Sequence, residues 1–304
     1  MIWEEKEDQI LLKTIPDFNF TQNLNYLSRS TNECLFHIHD NKVRKAITVD
    51  KYTILVEVKE HDDHTILIDF LGNTRPRRKE VREQVVAYIF EWFDLKTEIN
   101  LFYKIAEKDP VLNQAVLHFR GLRIMGIPDL FEAMAWGILG QQINLTYAYM
   151  LKRRLVEKFG RSVEFEGEQY WVFPTAGDIA KLTVEDLAEL KMTLKKCEYL
   201  IDVASQIDTG LLTKEMLLET KDVKQAEKIL TKIRGIGPWT ANYVLMRCLR
   251  FPSAFPIDDV GLHNAIKHVT SSDQKPTKDT ILQLALPWKG WEAYATFYLW
   301  RFLY

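Results

Sequence analysis

The stretch Ile233-Arg234-Gly235-Ile236-Gly237-Pro238-Trp239 constrains this 304-residue chain more than any other. Before it, Val223-Lys224-Gln225-Ala226-Glu227-Lys228-Ile229-Leu230 places apolar residues at helical spacing, and after it Tyr243-Val244-Leu245-Met246 resumes the pattern. Two glycines around one apolar residue therefore join two helices in a turn too short to have a core of its own. Glycine reaches positive φ and leaves backbone amides uncovered. Pro238 suits the first turn of the second helix, where its missing N–H costs nothing. A turn of this kind aims several N–H groups at a site favourable to an anion such as phosphate. Taken alone, it reads first as the turn of a plain αα-hairpin that uses glycine for geometry.

The surroundings are more specific. Beyond Trp239-Thr240-Ala241-Asn242-Tyr243 the chain reaches Phe255-Pro256-Ile257-Asp258-Asp259-Val260, an acidic pair behind a proline. Upstream, Asp129-Leu130-Phe131-Glu132-Ala133 opens a helical run that ends in Ile138-Leu139-Gly140-Gln141-Gln142-Ile143. This set of motifs resembles the helix-hairpin-helix DNA glycosylase superfamily, and within it the inducible-type 3-methyladenine DNA glycosylases. The likeness is close over the helical part of the chain and loose over the first hundred residues.

The resemblance implies a division into residues 1–108, an N-terminal α+β domain with an antiparallel sheet, and residues 109–304, a helical core with its hairpin at about 222–250. It implies that Gly235, Ile236, Gly237 and Thr240 meet the DNA backbone, with a monovalent cation on the hairpin carbonyls and no metal held by side chains. Gln142, in preference to Ile143, is the expected wedge that fills the gap left by a flipped base. Asp259 takes the catalytic place, and Asp258 is left to cap or orient the following helix. Trp239, Tyr243, Trp300 and, from the N-terminal domain, Tyr26 form the expected base pocket. Aromatic faces attract cations, and N3- or N7-alkylated purines are cationic.

Superfamily members that also cut the strand carry a lysine where Trp239 stands, and its amine forms a Schiff base. The expected activity is thus monofunctional: release of alkylated purines of the 3-methyladenine and 7-methylguanine class from duplex DNA by base flipping. Two other readings stand beside it. One is a helix-hairpin-helix module that binds DNA without catalysis, which needs the hairpin but not Asp259. The other is an oxidised-purine glycosylase with lyase activity, which Trp239 opposes. The expected partner is double-stranded DNA carrying a damaged base, met by a monomer in a prokaryotic cytoplasm, at the nucleoid.

Composition agrees in part. With 47% hydrophobic and 27% charged residues the chain reads as globular, and no window approaches a membrane span. Cys34, Cys197 and Cys248 are too few for a four-cysteine iron–sulfur site and favour a reducing compartment. The net charge of −2 is unusual for a phosphate binder, but residues 221–250 hold seven basic and two acidic side chains, a local +5. In the N-terminal part, Glu33 to His39 and Ile47 to Val49 read as strands, and Tyr52 to Lys59 with Thr65 to Leu71 as a hairpin. Asp17 to Leu27 and Lys79 to Leu95 read as helices. His37, His39, His61 and His64 lack the companions of a metal site and read as surface histidines. Residues 160–176 read as irregular.

Overall fold

A computed structural model describes residues 1–6, 9–50 and 52–303. The N-terminal part is a six-stranded antiparallel sheet: β1 (Trp3–Lys6), β2 (Gln9–Lys13), β3 (His37–His39), β4 (Lys42–Val49), β5 (Tyr52–Asp62) and β6 (Thr65–Phe70), in the order β1-β2-β6-β5-β4-β3. The remaining structure is mainly helical, so the fold is the α+β arrangement read from the sequence.

The centre of the sheet is apolar on both faces. Val43, Ile47, Ile54, Val56 and Val58 point into the main core, beneath the helix Lys79–Trp92. Ala46 and Leu55 point the other way and are covered by Tyr170 and Val172. Those two residues come from a second sheet, β7 (Arg161–Phe165) with β8 (Glu168–Val172), in the segment expected to be irregular. Its turn, Glu166-Gly167, has φ of 53° and 81°, the left-handed pair that a two-residue hairpin needs. β1 and β2 were also not expected, and the strand read over 33–39 shrinks to β3.

The main apolar cluster runs without a break from Ile10 of β2 to Trp300. Buried polar bonds tie residues 103 and 109 to the C-terminal helices. Trp288 donates to Asp109 at 2.9 Å, and the Tyr103 and Tyr298 hydroxyls meet at 3.1 Å. The helix Pro238–Arg247 lies in the middle of this core, every residue from Thr240 to Arg247 being buried. It crosses the helix Leu130–Leu139 so closely that a Cβ on Gly137 would lie 2.6 Å from the Thr240 methyl.

Candidate active site

The hairpin is built as its residues dictate. Asp222 caps the helix Val223–Leu230, accepting from the Lys224 amide at 2.7 Å. Gly235 turns the chain with φ of 87°, and a Cβ there would come 2.3 Å from the Tyr199 ring. Gly237 is the N-cap of the second helix and Pro238 its first residue. The Ile236 amide is spent inside the turn on the Ile233 carbonyl, at 3.0 Å, and its side chain is buried. Among the described residues the amides of Gly235 and Gly237 have no partner, so these two offer donors to an anion. Thr240 is turned inwards under Gly137, and a phosphate would meet only its backbone N–H.

Gln141, quoted in the sequence motif but given no role, fastens the turn. Its amide donates to the Gly235 carbonyl at 2.8 Å and lies 3.4 Å from the Thr240 hydroxyl. The carbonyls of Ile233 and Gly235 each accept one bond and keep a second lone pair. The turn can therefore still supply oxygen ligands to a monovalent cation. Gly235→Ala is expected to lower folding stability by more than about 1 kcal/mol, since both the positive φ and the Tyr199 ring oppose a side chain. Urea unfolding measures it, and an unchanged midpoint would mean the turn is not held as described.

Asp259 is held from three directions. Its Oδ1 accepts the Leu262 amide at 2.7 Å, which makes it the N-cap of the helix Val260–Val269. The same oxygen accepts the Trp300 indole N–H at 2.8 Å, and Oδ2 accepts that of Trp239, also at 2.8 Å. The carboxylate plane is thus fixed by two rings and a helix end. A Cβ on Gly261 would lie 2.8 Å from Asp259 Oδ1, so glycine there keeps the contact open. Asp258, expected as a cap, is instead exposed and pairs with Lys278 at 2.9 Å. Asn242 aligns the segment leading to Asp259: its amide donates to the Pro238 carbonyl at 3.0 Å and its oxygen accepts the Phe255 amide at 2.9 Å.

Asp259 opens onto a cleft of about 1260 Å³ that also receives the hairpin, Gln142, Trp239, Tyr243, Trp300 and Tyr26. The expected site residues therefore converge. Trp239 stacks on Tyr243, with ring centroids 5.6 Å apart, and Trp300 lies 6.4 Å beyond. Two arginines join them. Arg247 Nη1 donates to the Tyr26 and Tyr243 hydroxyls at 3.0 and 2.9 Å, and Arg29 lies 4.0 Å over the Tyr26 ring. Burial pushes the Tyr243 phenol pKa up, so it stays neutral. Guanidiniums thus already lie over the rings of Tyr26, from Arg29 at 4.0 Å, and Tyr243, from Arg247 at 5.4 Å.

Residues 135–290 match the family described as "HhH-GPD superfamily base excision DNA repair protein". The chain belongs to that superfamily. Residues 10–134 match a second family, the N-terminal domain of 8-oxoguanine DNA glycosylase. Over its full length the chain is 52% identical to a DNA-3-methyladenine glycosylase of Bacillus subtilis, covering 100% of both. It is 26% identical to DNA-3-methyladenine glycosylase 2 of Escherichia coli, across 94% of each chain. The fold is shared with a 3-methyladenine DNA-glycosylase from Archaeoglobus fulgidus, at a TM-score of 0.82 and 23% identity over 96% of this chain and 97% of that one.

In this member of the superfamily the loop expected to face DNA follows the helix Leu130–Leu139, whose end is held by Lys196 donating to the Leu139 carbonyl at 2.7 Å. Gln142 stands exposed at its tip with φ of 55°, while Ile143 packs back against the core. The basic footprint is thinner than the sequence suggests. Arg247 and Arg250 are turned to buried backbone carbonyls, and Arg234 pairs with Glu198 at 2.5 Å. Lys232 remains beside the turn, lining the cleft.

Proposed function

We propose that the protein is a monofunctional DNA glycosylase that flips and releases alkylated purines from duplex DNA. The observation that carries this reading is Asp259, a carboxylate pinned by two indole N–H groups at the edge of an aromatic cleft beside the hairpin. A DNA-binding module without catalysis needs none of that.

Gly235 and Gly237 hold a phosphate through amides, without regard to sequence. Gln142 occupies the vacated stack, and the base enters between Trp239, Tyr243 and Trp300. As the N-glycosidic bond breaks, positive charge grows on the sugar, and the fixed carboxylate of Asp259 stabilises it and orients the attacking water. Residues 1–108 contribute Tyr26 to the pocket wall, and every residue given a role in this reading belongs to one chain, so a monomer suffices. Its DNA substrate places it at the nucleoid.

Release of 7-methylguanine and 3-methyladenine from methylated duplex DNA tests the assignment, and no release by the folded protein would overturn it. The 8-oxoguanine likeness of residues 10–134 makes a lyase worth testing separately. Trp239 has no amine, and Lys232 is the lysine that lines the cleft among the described residues. Borohydride is expected to trap no enzyme–DNA adduct while base release proceeds. A trapped species would put an amine in the mechanism and end the monofunctional reading.

A further inference from the structure

We propose that Gln141 sets the position of the wedge against the phosphate-binding turn, and so controls how readily the enzyme extrudes a base. This role rests on the glycosylase reading above and on Gln142 as its wedge. The wedge loop and the turn are each closed by bonds of their own. At the start of the loop the Gln141 amide donates to the Ile138 carbonyl at 3.2 Å. At its end Asn144 caps the helix Leu145–Phe159, accepting the Tyr147 amide at 2.8 Å. The turn closes through the Ile236 amide on the Ile233 carbonyl, at 3.0 Å, and the Ala241 amide on the Gly237 carbonyl, at 2.9 Å. None of these bonds fixes one piece against the other.

Helix packing brings the two pieces together as far as Gly140, where a Cβ would lie 4.0 Å from the Trp239 ring. Beyond it Ile143 packs back on the core, and Gln142 stands exposed in a left-handed conformation. Among the described residues, the hydrogen bonds that run from residues 140–144 to the turn come from Gln141. Its Nε2 donates to the Gly235 carbonyl at 2.8 Å and lies 3.4 Å from the Thr240 hydroxyl. Extrusion has to place two things at once. The backbone is gripped at the phosphate, and the wedge has to enter the stack at a fixed offset from that grip. Unstacking a base is costly, and a wedge free to shift loses ordering entropy before its contacts offset that cost. Gln142 is one residue from the tie, so holding Gln141 holds the offset. The Gln141 amide is spent on the turn, which makes it a positioning residue that acts through Gln142.

The test is a double-mutant cycle on 7-methylguanine release from duplex DNA by wild type, Gln141→Met, Gln142→Ala and the double variant. Single-turnover rates are read with enzyme in saturating excess, so an unfolded fraction does not enter them. Methionine keeps the length of the side chain and removes the donor. Gln141→Met is expected to release base roughly fivefold more slowly, the scale of one net hydrogen bond. Gln141→Asn keeps an amide but is one methylene short of the Gly235 carbonyl, and it is expected to follow Gln141→Met. With Gln142→Ala no wedge is left to place, so adding Gln141→Met is expected to cost less than about twofold. Losses that multiply overturn the proposal, because Gln141 would then act through the turn or the fold. A wild-type rate in either Gln141 variant overturns it as well. So does a wild-type rate in Gln142→Ala, which takes the wedge role from Gln142. A wild type that releases no 7-methylguanine fails at the earlier step, the glycosylase reading itself.

Discussion

An Asp259→Asn protein is expected to fold, to bind DNA, and to release almost no base. Asparagine is as good an N-cap as aspartate, so the Leu262 amide keeps its acceptor and the helix Val260–Val269 its start. The amide oxygen can also keep the Trp300 indole, because Leu262 and Trp300 share Oδ1. What is lost is the charge, together with the acceptor for Trp239, whose N–H would then face an NH₂ group. Losing one preorganised stabiliser of transition-state charge lowers a rate by about 10²–10³-fold, and a loss of at least that size is expected here. Stability should fall by about 1.5–3 kcal/mol, the scale of one hydrogen bond to a charged group. Asp258→Asn is the control: it breaks an exposed ion pair with Lys278, and such pairs contribute only ~0–1 kcal/mol. Single-turnover release and a urea melt on the three proteins decide the matter. Near-wild-type release by a folded Asp259→Asn protein, or a larger loss in Asp258→Asn, removes the carboxylate from the mechanism.

Much of this site was legible because its signals are local. A glycine turn, an N1 proline and an acid ahead of a helix are written in adjacent residues, and they fix the backbone that carries Asp259. The parts that were not legible depend on pairing across the chain. Arg247 meets Tyr26 across 221 positions, and no periodic pattern marks that meeting. Arg247 and Arg250 counted as basic surface in the sequence, whereas in the fold they satisfy buried carbonyls. Gln141 and Asn242 are neutral amides inside the quoted motifs, and what they bond became visible only with the turn and the Phe255 segment in place. β7 and β8 did carry a signal. Val163, Phe165, Tyr170 and Val172 alternate around Glu166-Gly167, and the high charge of the segment masked it.

The two indoles raise the question of whether Trp239 and Trp300 act through their faces or through their N–H groups, and the expected result separates these. Leucine alone is a poor probe, since it removes ring and donor together. Phenylalanine keeps an aromatic face and most of the volume while removing the bond to Asp259. Each indole donates to a carboxylate at 2.8 Å, and a hydrogen bond to a charged group is worth about 1.5–3 kcal/mol. Trp300→Phe should therefore slow release of 7-methylguanine and of hypoxanthine by similar factors, on the order of tenfold to a hundredfold, because a loosened carboxylate serves neither substrate. Trp300→Leu should lose as much on hypoxanthine and more on 7-methylguanine, the difference being the ~0.5–2 kcal/mol of one cation–π contact. Trp300 is 5% exposed and packs on Phe297 and over Gly261, so both variants should melt lower than the half-exposed Trp239 pair. Trp239→Phe and Trp239→Leu should repeat the kinetic pattern with less loss of stability. Full activity in both phenylalanine variants would show that the indole N–H groups do not hold the catalytic carboxylate. Equal losses for leucine and phenylalanine on both lesions would show that the rings do not read charge.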